Sequence, residues 1–134
     1  MTSPIGMTED CPCGTGQAYS ACCGPLHDGQ AAATAEQLMR SRYSAYALGR
    51  TDYVFRTWHP RTRPDEVEND TTLTWERLEV LRSQGGGADD LVGVVEFRAR
   101  YRTSVGAGAM HETSRFERRA GRWVYVDGDV EPTS

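Results

Sequence analysis

The spacing of apolar positions along the chain changes near residue 72. Before it, the run AEQLMRSRYSAYAL (35–48) sets Leu38, Met39, Tyr43, Tyr46 and Ala47 at helical intervals. That makes a broad apolar stripe and predicts an amphipathic helix. Thr34 is a good N-cap, Gln37 three residues on completes a capping box, and Gly49 ends the helix. A shorter helix, capped by Thr51 or Asp52, should run to about residue 58, with Val54, Phe55 and Trp58 as its apolar side. Pro60 disfavours helical continuation at His59. Residues 60–72 are polar, contain two prolines and read as a loop.

After residue 72 the period becomes two. Residues 73–82 predict one or two strand pieces with an irregularity near Arg77, because Trp75 and Leu78 break strict alternation. QGGGADD reads as a long hairpin loop. Residues 91–102 carry the clearest strand pattern, with Leu91, Gly93, Val95, Phe97, Ala99 and Tyr101 on one face and Glu96, Arg98, Arg100 and Arg102 on the other. TSVGAGA reads as another hairpin connection. Residues 110–119 place Met110, Glu112, Ser114 and Phe116 on the inner face, and Ala120-Gly121 turns the chain into a last strand where Trp123 and Tyr125 share a face. Residues 1–10 and 129–134 read as loose tails. Helices followed by an antiparallel meander must cover one face of the sheet, which gives an α+β fold.

The N-terminal segment adds different chemistry. All four cysteines of the 134-residue chain fall within CPCGTGQAYSACCG, as the close pairs Cys11/Cys13 and Cys22/Cys23. Secreted miniproteins spread their cysteines to staple distant loops, and adjacent cysteines bond to each other only with strain. Two converging thiolate pairs suit one tetrahedral zinc ion of structural type, with no open coordination position. A variant in which His27 replaces one cysteine and a disulfide or redox pair remain alternatives. The spacing fits iron–sulfur runs less well.

Charge narrows the partners. The chain carries a net charge of -4, and all 15 basic residues are arginine. Without lysine there is no Schiff-base chemistry and no phosphate-loop lysine. Residues 1–30 hold no arginine but do hold Glu9, Asp10 and Asp28. Such a module repels phosphates, so nucleic acid is a disfavoured partner. A hydrophobic fraction of 38% supports one real core. No apolar run approaches the roughly 20 residues of a membrane span. The N-terminal sequence lacks a secretory pattern, so the expected location is cytoplasmic.

CPCGTGQAYSACCG resembles the SEC-C motif, the zinc-binding element of the SecA translocase tail and of many small proteins. The resemblance places the metal ligands at Cys11, Cys13, Cys22 and Cys23; in the translocase tail the last ligand is often histidine. LMRSRYSAYALGRTDYVFRTWHP, LTWERLEV, HETSRF and GRWVYVDG, in that order, resemble the YchJ-like family, also called UPF0225. That family pairs a SEC-C motif with an NTF2-like domain. The resemblance implies a zinc module over residues 1–30, an NTF2-like cone of helices on a curved antiparallel sheet over 31–128, and a flexible tail over 129–134. NTF2-like folds serve as isomerases, dehydratases, cyclases and plain binding or dimerisation modules, so fold does not select among them.

A hollow between helices and sheet is where a ligand would enter. Arg40, Tyr43, Trp58, Glu112 and Ser114 are its expected lining. Glu112 faces an apolar interior and needs a partner, from Arg40, Arg42 or Arg118. His59 and Glu112 are the candidates for acid–base work; structural roles compete for both. The leading expectation is a structural-zinc protein whose NTF2-like domain binds a small molecule or a protein. The alternatives are a small-molecule isomerase, hydrolase or dehydratase, and a translation- or secretion-linked binding module. A homodimer through the outer sheet face is a further arrangement the fold permits.

Overall fold

The computed structural model describes residues 9–131. A 3-10 turn, Tyr19–Ala21, leads into the short helix α1, Cys23–His27. Helix α2, Ala35–Leu48, and helix α3, Thr51–Arg56, follow. Four strands complete the chain: β1 Leu73–Gly85, β2 Val92–Thr103, β3 Gly106–Arg119 and β4 Arg122–Glu131. They form one antiparallel sheet in the order β1-β2-β3-β4. The result is the α+β architecture expected, a small helical layer on a curved, open sheet.

The helix signals act locally. Thr34 Oγ1 accepts from the Gln37 amide at 3.0 Å, while the Gln37 side chain accepts from the Ala33 amide, one residue outside the expected reciprocal bond. Helix α3 stops at Arg56, two residues short of the expected end. Its N-cap is Arg50, with no side-chain capping bond from Thr51 or Asp52. The chain then runs alongside β4: the Tyr125 amide donates to the Thr57 carbonyl at 2.8 Å, and the His59 amide to the Tyr125 carbonyl at 2.7 Å. Backbone pairing to the sheet replaces the last helical turn.

Strand β1 shifts register against β2 twice, between Trp75 and Arg77 and between Val80 and Arg82. The first is the irregularity the alternation predicted. A third shift lies opposite Arg115 and Phe116 in β4. Each adds twist and bends its strand, so the sheet curls around the helices. Val95, Phe97 and Ala99 are buried on the inner face as expected, but Leu91 is 70% exposed and precedes the strand. The TSVGAGA connection is shorter than expected, because β2 runs to Thr103 and β3 starts at Gly106. On the outer face, glutamates across the ladder pair with Arg82, Arg100 and Arg102 at 2.8–3.2 Å.

Both expected tails are shorter than the sequence suggests. The Tyr19 amide donates to the Glu9 carbonyl and Asp10 bridges Ala18, so residues 9 and 10 belong to the cysteine module. Strand β4 continues through Glu131, with Asp129, Val130 and Glu131 opposite Thr113, Glu112 and His111. The rest of each tail, residues 1–8 and 132–134, lies outside the described residues. No described helix is long and apolar enough to cross a membrane.

The β3–β4 turn holds a testable cost. Ala120 adopts φ 52° beside Gly121 at φ 80°. Left-handed backbone at both central positions suits a two-residue hairpin, yet alanine takes it with strain. Ala120→Gly should stabilise the protein by roughly 0.5–1 kcal/mol, read as a higher urea midpoint with an unchanged slope.

Candidate functional site

Two chemically distinct regions take side chains from different faces of α2. The first is the cysteine cluster. The Cys11 amide donates to the Gln17 carbonyl at 2.9 Å and the Gly14 amide to the Cys11 carbonyl at 3.2 Å. Gly14, at φ 85°, makes the left-handed turn that folds this loop back on itself. The second pair is delivered by the 3-10 turn and the start of α1. All four sulfurs then lie within 4.8 Å of one another. Cys11, Cys13 and Cys23 are buried and Cys22 partly so.

The donor set fits a tetrahedral metal. Metal–sulfur bonds of about 2.3 Å imply sulfur–sulfur edges of about 3.8 Å. Cys13 and Cys22 are 3.5 Å apart, and Cys22 and Cys23 4.0 Å. Hydroxyls complete the surroundings. Ser44, fully buried on α2, donates to Cys23 at 3.3 Å and lies 3.5 Å from Cys11, while Thr15 lies 3.2 Å from Cys22. The crowding splits the acidities: hydrogen bonds from Cys13 and then Cys23 hold Cys11 far below the ordinary thiol value. Burial pushes Cys22 up to about 11, and the hydrogen bond with Cys11 pushes Cys23 up. A divalent cation would stabilise all four as thiolates.

His27 is not part of this donor set. It is 3% exposed, and Nε2 donates to the Ser41 carbonyl at 2.9 Å. Nδ1 must therefore accept, at 2.7 Å, from the Tyr19 hydroxyl. Its ring also packs at a tilt against Tyr53, with ring centres 4.7 Å apart. The histidine pins α1 and the cysteine module to α2.

Arg40, expected in the hollow, instead lies on the module side of α2. It donates to the Cys13 carbonyl at 2.8 Å and pairs with Glu36 at 3.0 Å. The reason is helical phase. Residues 40 and 44 share one face toward the cysteines, while Met39, Arg42, Tyr43 and Tyr46 share the face toward the sheet.

The second region is that hollow, a cavity of about 320 Å³. Tyr43, Trp58, Glu112 and Ser114 line it, together with Tyr46 and Tyr125. Arg42 enters it from α2 and is 6% exposed. Its Nη1 donates to the Val54 carbonyl and to Thr57 Oγ1, each at 2.8 Å. Its guanidinium carbon lies 5.1 Å from the Trp58 ring centre and 4.6 Å from that of Tyr125. Burial pushes the Arg42 pKa down, partly offset by the neighbouring tyrosines and Glu112.

Glu112 finds partners other than the arginines expected. Its Oε2 accepts from Ser114 Oγ at 2.6 Å and Tyr125 Oη at 3.1 Å. Burial raises the Tyr125 pKa, which keeps that hydroxyl a donor. Gly128, opposite Ser114 in the ladder, lies against the Glu112 side chain, and a Cβ there would collide with the carboxylate. Arg118 bonds instead to the Asp90 and Gly87 carbonyls at 3.0 and 2.8 Å and stacks on Trp123.

The two acid–base candidates, His59 and Glu112, do not meet. His59 Nδ1 accepts from the Arg61 amide at 3.0 Å, and Nε2 lies 3.7 Å from Glu117. Residue parity explains this, since Glu117 is on the opposite face of β3 from Glu112. Sequence reasoning missed Arg42 as a lining residue. Its signal was the i, i+3, i+4, i+7 series 39, 42, 43, 46, but it was expected only as a partner for Glu112.

Comparisons with known proteins agree with both regions. The family described as YchJ, middle NTF2-like domain, matches residues 34–128, and the SEC-C motif matches residues 7–25. A UPF0225 protein of Streptomyces coelicolor is 51% identical over 123 residues, covering 91% of this chain and 96% of its own. One from Corynebacterium efficiens is 50% identical, covering 95% and 98%. A solution structure of a SEC-C motif containing protein from Rhodopseudomonas palustris superposes with TM-score 0.79 at 38% identity, covering 92% of this chain and 100% of that one. A crystal structure of one from Psychrobacter arcticus gives TM-score 0.76 at 29% identity, covering 96% and 86%.

The buried His27 predicts a pH dependence. Burial holds its pKa below the ordinary 6.5, so the folded protein resists a proton that the unfolded chain accepts. Stability from this group is complete above pH 6.5 and is lost as pH falls toward the folded value. His27→Gln should flatten that part of the profile while lowering stability at neutral pH. Urea midpoints of both proteins across this range, with metal held saturating, give the comparison.

Proposed function

The chain belongs to the YchJ-like UPF0225 family, with a SEC-C motif ahead of an NTF2-like domain, and from that footing we propose that it is a small-molecule-binding protein braced by a structural zinc ion. The observation that carries the binding role is the cavity of about 320 Å³, in which aromatic rings surround Arg42 and Glu112. Mostly apolar walls with a few convergent polar groups are the usual composition of a ligand site.

Zinc suits the soft, closed set of Cys11, Cys13, Cys22 and Cys23. The cysteines occupy the whole tetrahedron, which favours stabilisation over catalysis. Reduced thiolates also favour a reducing compartment, consistent with a cytoplasmic location. His59 and Glu112 have separate partners, so an isomerase or hydrolase reading would rest on one of them acting alone.

Two measurements on reductively purified protein test this. Elemental analysis should find one zinc per chain. Cys13→Ser or strong chelation should lower the melting midpoint by roughly 10 °C or more, because a loss of about 3 kcal/mol moves a domain of this size that far. Zinc clearly below one per chain would sink the structural-zinc claim. For the cavity, a fragment screen by NMR should shift resonances of Trp58, Trp75 and Tyr125; hits that all map elsewhere would refute the binding role.

A further inference from the structure

The two charged groups in the cavity are each half used. Arg42 and Glu112 are more than nine-tenths buried, at 6% and 9% exposure. Nη1 of Arg42 spends its hydrogens on the Val54 carbonyl and Thr57 Oγ1. Among the described residues nothing accepts from Nε or Nη2, and no carboxylate lies within ion-pair distance of Arg42. Nε–H and Nη2–H form the planar fork that takes a carboxylate through two parallel bonds. The rings of Trp58 and Tyr125 hold the guanidinium plane, at 5.1 and 4.6 Å.

Glu112 is the complementary case. Ser114 and Tyr125 both donate to Oε2, and among the described residues no donor reaches Oε1. A buried guanidinium and a buried carboxylate left partly unbonded are each costly unless something else completes them. Both line the same cavity, whose remaining wall is largely aromatic. Tyr46, Trp75 and Met110 are shared with an adjoining, more open hollow that carries Glu68, Asp70 and Glu131. That acidic side opposes a multiply charged anion such as a phosphate ester more strongly than a singly charged one.

We propose that the cavity binds a small aromatic monocarboxylate with a hydrogen-bond donor at its far end, the carboxylate on the Nε–Nη2 fork of Arg42 and the donor on Glu112 Oε1. The inference rests on the ligand-binding reading and adds the class of ligand. The apolar lining takes the ring, Arg42 sets its direction, and Glu112 selects for the distal donor.

The test is an NMR titration of the intact, zinc-loaded protein with para-hydroxyphenylacetate, phenylacetate, tyramine and phenol. Para-hydroxyphenylacetate should bind best and shift the Arg42 Nε–H resonance. Phenylacetate, lacking the donor, should bind roughly tenfold more weakly. Tyramine, with an ammonium in place of the carboxylate, should not bind. Arg42→Lys keeps the charge but loses the fork, and should weaken para-hydroxyphenylacetate roughly tenfold or more. Glu112→Gln should reduce the preference over phenylacetate. Melting midpoints and zinc content establish that each variant folds; if either does not, the ranking of the four probes on the native protein decides alone. Tyramine or phenol binding in the cavity as tightly as para-hydroxyphenylacetate overturns the ligand class and leaves the binding role standing. No binding by any probe at millimolar concentration overturns both.

Discussion

Helix α2 is packed on two sides at once, and the arrangement of both regions follows from that. Its 14 residues turn by about 100° each, so neighbours in sequence face different surroundings. Ser44 reaches the cysteine sulfurs and Arg40 the Cys13 carbonyl. Ser41 presents its carbonyl to His27 and its hydroxyl to Tyr53. One step round the helix, Met39, Arg42, Tyr43 and Tyr46 line the cavity. The cysteine module is therefore part of the same core as the sheet: Cys11, Cys13 and Cys23 share a hydrophobic cluster with Leu38, Phe97 and Trp123. The cysteine cluster and the cavity both take side chains from this one helix.

Curvature makes the cavity, and small residues keep it open. Two bulges in β1 and one opposite β3 bend the strands around the helices. Gly128 leaves room for the Glu112 carboxylate. The outer face contributes little by comparison. Its arginine–glutamate pairs are exposed, where ion pairs are worth about 0–1 kcal/mol. They balance the charges of Arg82, Arg100 and Arg102 within the sheet.

The inner polar groups follow a different economy. Arg42 has backbone and hydroxyl acceptors for one nitrogen and two aromatic faces around its plane, in place of a carboxylate partner. Glu112 is held by hydroxyls in place of a guanidinium. A direct ion pair between them would have closed the cavity's chemistry, whereas separate partial satisfaction leaves each able to meet another molecule. The indole nitrogens of Trp58 and Trp123 are enclosed without an acceptor, a further cost borne around this core.

Local chemistry by itself determined much of this protein. Thr34 and Gly49 bound α2, alternation located the strands and flagged the break near Arg77, and the cysteine spacing identified the four sulfurs that converge. Each depends on interactions within a few residues or on a strict period, which a sequence displays directly. Tertiary structure decided the rest. Whether Arg40 or Arg42 faced the hollow depended on which side of α2 the sheet covered, and both arginines looked equally polar in sequence. Glu112 met Ser114 and Tyr125, and His59 met Glu117, because strand pairing and parity set those distances. His27 stays out of the sulfur cluster because a tyrosine hydroxyl and a carbonyl of α2 take both ring nitrogens. Those pairings join residues far apart along the chain, and only packing brings them within bonding distance.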